Sequence, residues 1–183
     1  MFDTFRARAA AVSAEVHRFG DKAQALHFVL DLLRQEGVSA APGAHALWAA
    51  GPFLAGADRP ALSRDVPGLR FDVTRELAAT ARVGVSEADY AVANTGTLAQ
   101  AADGIEGRLV SMLPPLHVAL VPTGRLVPDL AALCERLSPA QTRYLALVTG
   151  PSRTADIERV LTIGVHGPKR LVIAFVDDLA GRA

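Results

Sequence analysis

Cysteine is almost missing from this chain: Cys134 is the single one in 183 residues. One thiol cannot close an internal disulfide, hold an iron–sulfur cluster or build a cysteine-rich zinc site. Cys134 therefore reads as a small buried residue on a helix. The five histidines have no metal-ligand spacing either, so no metal site is expected. Aromatics are scarce, at 5 %, which disfavours an aromatic-rich sandwich. Excess charge is absent, with 19 basic residues against 19 acidic ones. Such a chain lacks the broad positive field of non-specific nucleic-acid binding and the polybasic patch of an anionic-lipid binder. No apolar run approaches a membrane span, and Met1–Arg6 carries no signal-peptide-like stretch. These absences predict a cytoplasmic protein with neither membrane nor nucleic acid as partner.

What is present is Ala, Val and Leu: half of the chain is hydrophobic. The length suits one domain with a substantial core, expected to span residues 1–183. Residues 3–19 read as a helix, with Phe5, Ala9, Val12 and Val16 on one face. Asp21 caps a second helix that runs to Gly37. Residues 1–37 are thus expected to form a helical segment packed on the domain. The stretch 38–68 is irregular and rich in Pro, Gly and Ala, anchored by Trp48 and Phe53. A short strand over 69–73 precedes a helix that Thr74 caps, and Ser86–Asp89 reads as a polar turn or helical start.

Beyond Asp89 the pattern alternates. Strands are expected at Tyr90–Ala93, Leu98–Ala101, His117–Pro122, Tyr144–Thr149 and Leu171–Val176. Helices are expected at Pro128–Leu137 and Ala155–Leu161. Unbroken apolar strands between helices indicate an α/β fold: a Rossmann-like parallel or mixed sheet with helices on both faces, preceded by N-terminal helices.

Three constellations carry candidate chemistry. Asn94-Thr95-Gly96-Thr97 follows a strand end, where hydroxyls and backbone amides can cradle an anion; a turn whose threonines satisfy the backbone is the plainer alternative. Ser152, Arg153 and Thr154 join a strand to a predicted helix, whose free amides and forked guanidinium suit a phosphate or carboxylate. A simple helix cap accounts for the same residues. Glu106 and Arg108 occupy a predicted loop between glycines; Glu106 has the chemistry of a base or nucleophile and Arg108 that of a carboxylate clamp, against the alternative of a solvated surface pair. Either His117 or His166 has the chemistry of a general acid or base, with His166 the more open because glycines flank it. The loops are expected to converge, with Thr95, Arg108 and Ser152 lining one pocket at the carboxyl edge of the sheet.

Several segments resemble the LUD-domain family, most closely its lactate utilization protein C branch. They are Ala88-Asp89-Tyr90-Ala91-Val92-Ala93-Asn94-Thr95-Gly96-Thr97, the run Gly107–Val118, Val127-Pro128, the run Thr149–Glu158, and Gly164-Val165-His166-Gly167-Pro168. Their order and spacing are specific and cover roughly the C-terminal two-thirds. The resemblance implies a fold similar to the sugar-phosphate isomerase and CoA-transferase superfamily. It also implies a role in oxidizing L-lactate to pyruvate beside iron–sulfur partner proteins. It names no cofactor for this chain. Where the family pattern carries an acidic residue before Thr-Gly-Thr, this chain has Asn94, which cannot act as a base near neutral pH.

Two readings of function follow. One is an accessory or ligand-binding component of a lactate-oxidizing system that takes a small anion. The other is an autonomous isomerase or acyl or CoA transferase that uses Glu106. The N-terminal helices suggest a third, an interaction module.

Overall fold

The computed structural model describes residues 1–101, 104–137, 142–155, 161–163 and 167–180. Its centre is a six-stranded, all-parallel sheet. The strands are β1 (Glu15–Phe19), β2 (Ala46–Trp48), β3 (Leu69–Arg70), β4 (Val83–Glu87), β7 (Leu116–Pro122) and β12 (Arg170–Val176), in the order β1-β12-β7-β4-β2-β3. A four-stranded sheet lies beside it, built from β5 (Tyr90–Val92), β6 (Thr97–Ala101), β8 (Leu126–Val127) and β9 (Leu145–Val148), in the order β8-β5-β6-β9. A hairpin pairs β10 (Arg153–Ala155) with β11 (Leu161–Ile163).

Strand alternation divides the core in two. Val118, Leu120, Val172 and Ala174 face one side, against Ala25, Val29 and Leu33 of helix α2 (Lys22–Gln35) and the buried Trp48 and Phe53. Ala119, Val121, Leu171, Ile173 and Phe175 face the other side, against Phe5 and Ala9 of α1 (Phe2–Ala11) and Ala91 and Leu98 of the second sheet. Being buried on both faces, β7 and β12 read as continuous apolar runs. The Rossmann-like α/β expectation holds, with helices on both faces.

The other helices follow their sequence signals. In α3 (Arg59–Asp65), α4 (Arg75–Thr80) and α6 (Leu130–Arg136), the side chains of Asp58, Thr74 and Asp129 cap the first turn. Gly84 faces α5 (Ile105–Met112) with so little space that a Cβ there would lie 1.9 Å from the Val110 carbonyl oxygen. Glycine lets this helix rest directly on the strand.

Six expectations are corrected. Cys134, expected to be buried, is exposed on α6. The helix read over 3–19 ends at Ala11, and residues 15–19 form β1, paired in parallel with β12. Val12 and Val16 imitate a helical period, but long-range pairing wins. Ion pairs Glu15–Arg170 and Arg18–Asp177 tie the two strands together. Residues 1–37 therefore contribute an edge strand to the sheet. The irregular stretch 38–68 contains β2, a 3-10 turn at Pro52–Leu54 and α3, pieces too short to show a period. Ser86 and Glu87 are not a polar turn; both are buried in β4, and the Phe53 amide donates to the Glu87 carboxylate at 2.9 Å. Glu106 and Arg108 lie on α5 and not in a loop. Arg153–Ala155 form a strand where a helix was expected to begin, while residues 156–160 of that expected helix lie outside the described residues.

Candidate functional site

A cavity of about 370 Å³ opens where α5, the β9–β10 segment and the entry to β12 meet. Ser111 and Met112 line it from α5, Thr149 to Arg153 from the β9–β10 segment, and Gly167 and Pro168 from the entry to β12. His117 and Leu171, register partners on β7 and β12, lie at its floor. The seating of α5 on Gly84 positions Ser111, because Gly84 is also the register partner of His117. Ser152 is fixed by its backbone: its amide donates to the Pro168 carbonyl at 2.9 Å. Gly167 permits that approach, since a Cβ there would lie 2.8 Å from the Ser152 Cβ.

His117 is the most perturbed group near the cavity. One ring nitrogen, Nε2, bonds the Ser86 hydroxyl at 2.8 Å, while Nδ1 is buried without a partner among the described residues. Burial pushes its pKa down to about 4, so the ring is neutral at physiological pH. A buried nitrogen left unpaired is uncommon in a folded protein and suits a site completed by water or ligand.

Arg153 is the one ionised side chain among the described residues that line the cavity. It is exposed, and its Nη2 donates to the neutral Ser13 hydroxyl at 2.9 Å. The site thus combines one cation, the hydroxyls of Ser111, Thr149 and Ser152, and a neutral imidazole. This set can hold a carboxylate and read a neighbouring oxygen.

The two loops singled out in the sequence do meet. The Thr97 and Thr149 hydroxyls bond each other at 2.8 Å. Gly96, at φ +68°, lies against the α1 backbone, where a Cβ would sit 2.5 Å from the Ala9 nitrogen. Helix α1 therefore covers the Asn94–Thr97 turn. Asn94 is exposed, Thr97 is buried, and the buried Thr95 hydroxyl has no hydrogen-bond partner among the described residues.

Convergence at the carboxyl edge of the sheet is corrected. The cavity lies near the amino-terminal ends of β7 and β12, and neither Thr95 nor Arg108 lines it. Arg108 instead stacks on Tyr144, with its guanidinium carbon 4.8 Å from the ring centroid. It borders a neighbouring groove of about 200 Å³ with Ile105, Leu109 and Met112. Glu106 is exposed on the first turn of α5 and does not line the cavity. The backbone of Thr154 belongs to β10, and His166 lies outside the described residues. Sequence reasoning passed over Ser111 and Ser86. The available signal was polar residues inside buried strands, Ser86 in β4 and His117 in the neighbouring β7.

A family model described as the LUD domain matches residues 2–176. The chain belongs to the LUD domain family. Among its curated relatives, lactate utilization protein C of an Exiguobacterium species is 37 % identical over 114 residues, covering 59 % of this chain and 50 % of that protein. Lactate utilization protein C of Macrococcus caseolyticus is 37 % identical over 109 residues, covering 56 % and 47 %. Lactate utilization protein C 1 of Bacillus mycoides is 39 % identical over 109 residues, with the same coverage. This LUD-domain chain spans about half the length of the curated relatives it matches. A solved structure, a DUF162 family protein from Deinococcus radiodurans, is 19 % identical with a TM-score of 0.43, covering 85 % of this chain and 98 % of that one. No helix among the described residues is long and apolar enough to cross a membrane. No group of three or more His, Cys, Asp or Glu among them could hold a metal ion.

Proposed function

We propose that this LUD-domain chain serves lactate utilization as an accessory, ligand-binding component that takes a small monocarboxylate, L-lactate or pyruvate, in the Ser111–Arg153 cavity. The observation that carries this reading is the charge of the cavity. Arg153 supplies one positive charge among the described lining residues, and the neutral His117 adds none. One guanidinium matches one carboxylate, with hydroxyls left for the 2-hydroxyl or keto oxygen. A phosphate dianion or a CoA ester brings more negative charge than this set neutralises. The names of the relatives support the connection to lactate.

Oxidising lactate to pyruvate removes two electrons and two protons. With one cysteine this chain cannot bind an iron–sulfur cluster, so the acceptor in this proposal is an iron–sulfur partner protein. Catalytic roles for Glu106 as base and for His166 belong to the alternative, an autonomous isomerase or acyl or CoA transferase. The exposed position of Glu106, outside the cavity lining, gives that alternative no support.

A thermal-shift panel separates the two readings. L-lactate or pyruvate is expected to raise the melting temperature, corresponding to roughly 2.7 kcal/mol of stabilisation at a hundred times the dissociation constant. Ribose 5-phosphate and acetyl-CoA are expected to leave it unchanged. A shift with either of these compounds, together with turnover lost in Glu106→Gln, would transfer the support to the enzyme reading.

A further inference from the structure

Ser13 breaks a local rule. It follows the last turn of α1 with φ +68°, the one non-glycine left-handed residue among those described. Glycine adopts that conformation at a helix C-terminus with less strain. The amides of Ser13 and Ala14 donate to Ala10 and Ala9, as in an ordinary helix terminus, so the backbone alone gives no reason for a side chain here. The side chain has a partner 140 residues away in sequence, because its hydroxyl accepts from Arg153 at 2.9 Å. The contact is embedded in packing. Gly150, at φ +75°, lies so near Val12 that a Cβ would sit 2.6 Å from its carbonyl oxygen, and Ala14 is buried.

We propose that Ser13 is a positioning residue for Arg153, holding the guanidinium at the mouth of the cavity with a partner that leaves its charge free for an incoming carboxylate. A carboxylate in place of Ser13 would neutralise the guanidinium and compete with the ligand. A hydroxyl orients it without spending its charge. The α1–β1 turn thereby becomes part of the site, although it is remote from it in sequence. This inference rests on the monocarboxylate reading for its ligand, but the position of Arg153 can be measured without one.

The test compares the wild-type chain with Ser13→Gly and Ser13→Asn. The rate at which phenylglyoxal modifies Arg153 is followed by peptide mass spectrometry, and melting temperature and L-lactate and pyruvate affinity are measured in parallel. Ser13→Gly is expected to keep or raise the melting temperature, to speed modification of Arg153 roughly threefold, and to weaken binding roughly fivefold. Asn tolerates the left-handed conformation and keeps an acceptor, so Ser13→Asn is expected to restore slow modification. If Ser13→Gly leaves the modification rate unchanged, the positioning role is overturned. If it speeds modification while the wild type binds neither acid, the positioning role stands and the monocarboxylate reading fails.

Discussion

Gly84→Val is expected to destabilise the fold by roughly 3 kcal/mol or more, a large share of a typical domain's total stability. A Cβ at Gly84 would meet the Val110 carbonyl oxygen at 1.9 Å, the Val110 carbonyl carbon at 2.8 Å and Pro114 at 3.0 Å. Two of these three atoms are backbone, so no rotamer change relieves the clash. Helix α5 must lift from β4 or the strand must bend. Lifting α5 would also withdraw Ser111 and Met112 from the cavity. Chemical denaturation is the check, with Gly104→Ala as control. Gly104 is the N-cap of the same helix and a Cβ there meets nothing within 4 Å, so its expected loss is only the weaker cap, roughly 0.5–1 kcal/mol. Equal losses in the two variants would contradict the close seating of α5.

The second large effect concerns pH. Burial holds the folded-state pKa of His117 at about 4, below the 6.5 of an exposed histidine. As pH falls, the unfolded chain takes up this proton before the folded one does. The contribution of His117 is therefore complete above about pH 6.5 and declines as pH drops toward 4. Across that window it amounts to about 3 kcal/mol. Below it both states are protonated and this group costs nothing further. His117→Gln is expected to flatten this part of the profile, measured as urea-unfolding free energy near pH 4.5 and pH 7.5 in both proteins. Carboxylates common to both proteins cancel in the comparison. Parallel losses in wild type and variant would show that His117 is not held neutral by the fold.

Much of the fold was legible because the central strands are buried on both faces and read as unbroken apolar runs, as in Leu171–Val176 and His117–Pro122. Caps were equally plain: Asp21 and Thr74 do what their spacing predicts. What escaped depends on distant partners. β1 is a strand because β12 lies beside it, and a local helical period gave no warning. β9 read as buried, yet it is an edge strand whose Leu145 and Leu147 are 42 % and 50 % exposed. For the site, Ser152 and Arg153 were visible as chemistry, but for an incorrect reason. They lie at a strand start pinned to Pro168 and not at a helix N-terminus. Arg108 looked like a clamp in sequence because nothing there shows Tyr144 beneath its guanidinium. The Ser86–His117 pair joins two strands 31 residues apart and emerges only once those strands are paired.

The most direct test of a monocarboxylate site centred on Arg153 is isothermal titration of L-lactate and pyruvate into the wild-type chain and Arg153→Ala. Arg153 is exposed, so its removal is expected to leave the melting temperature nearly unchanged. At least one of the two acids is expected to bind the wild type, and Arg153→Ala to weaken that binding roughly tenfold or more, the loss of one charge-assisted hydrogen-bonding group. Equal binding in the two proteins, or no binding of either acid to the wild type, would contradict a monocarboxylate site at Arg153.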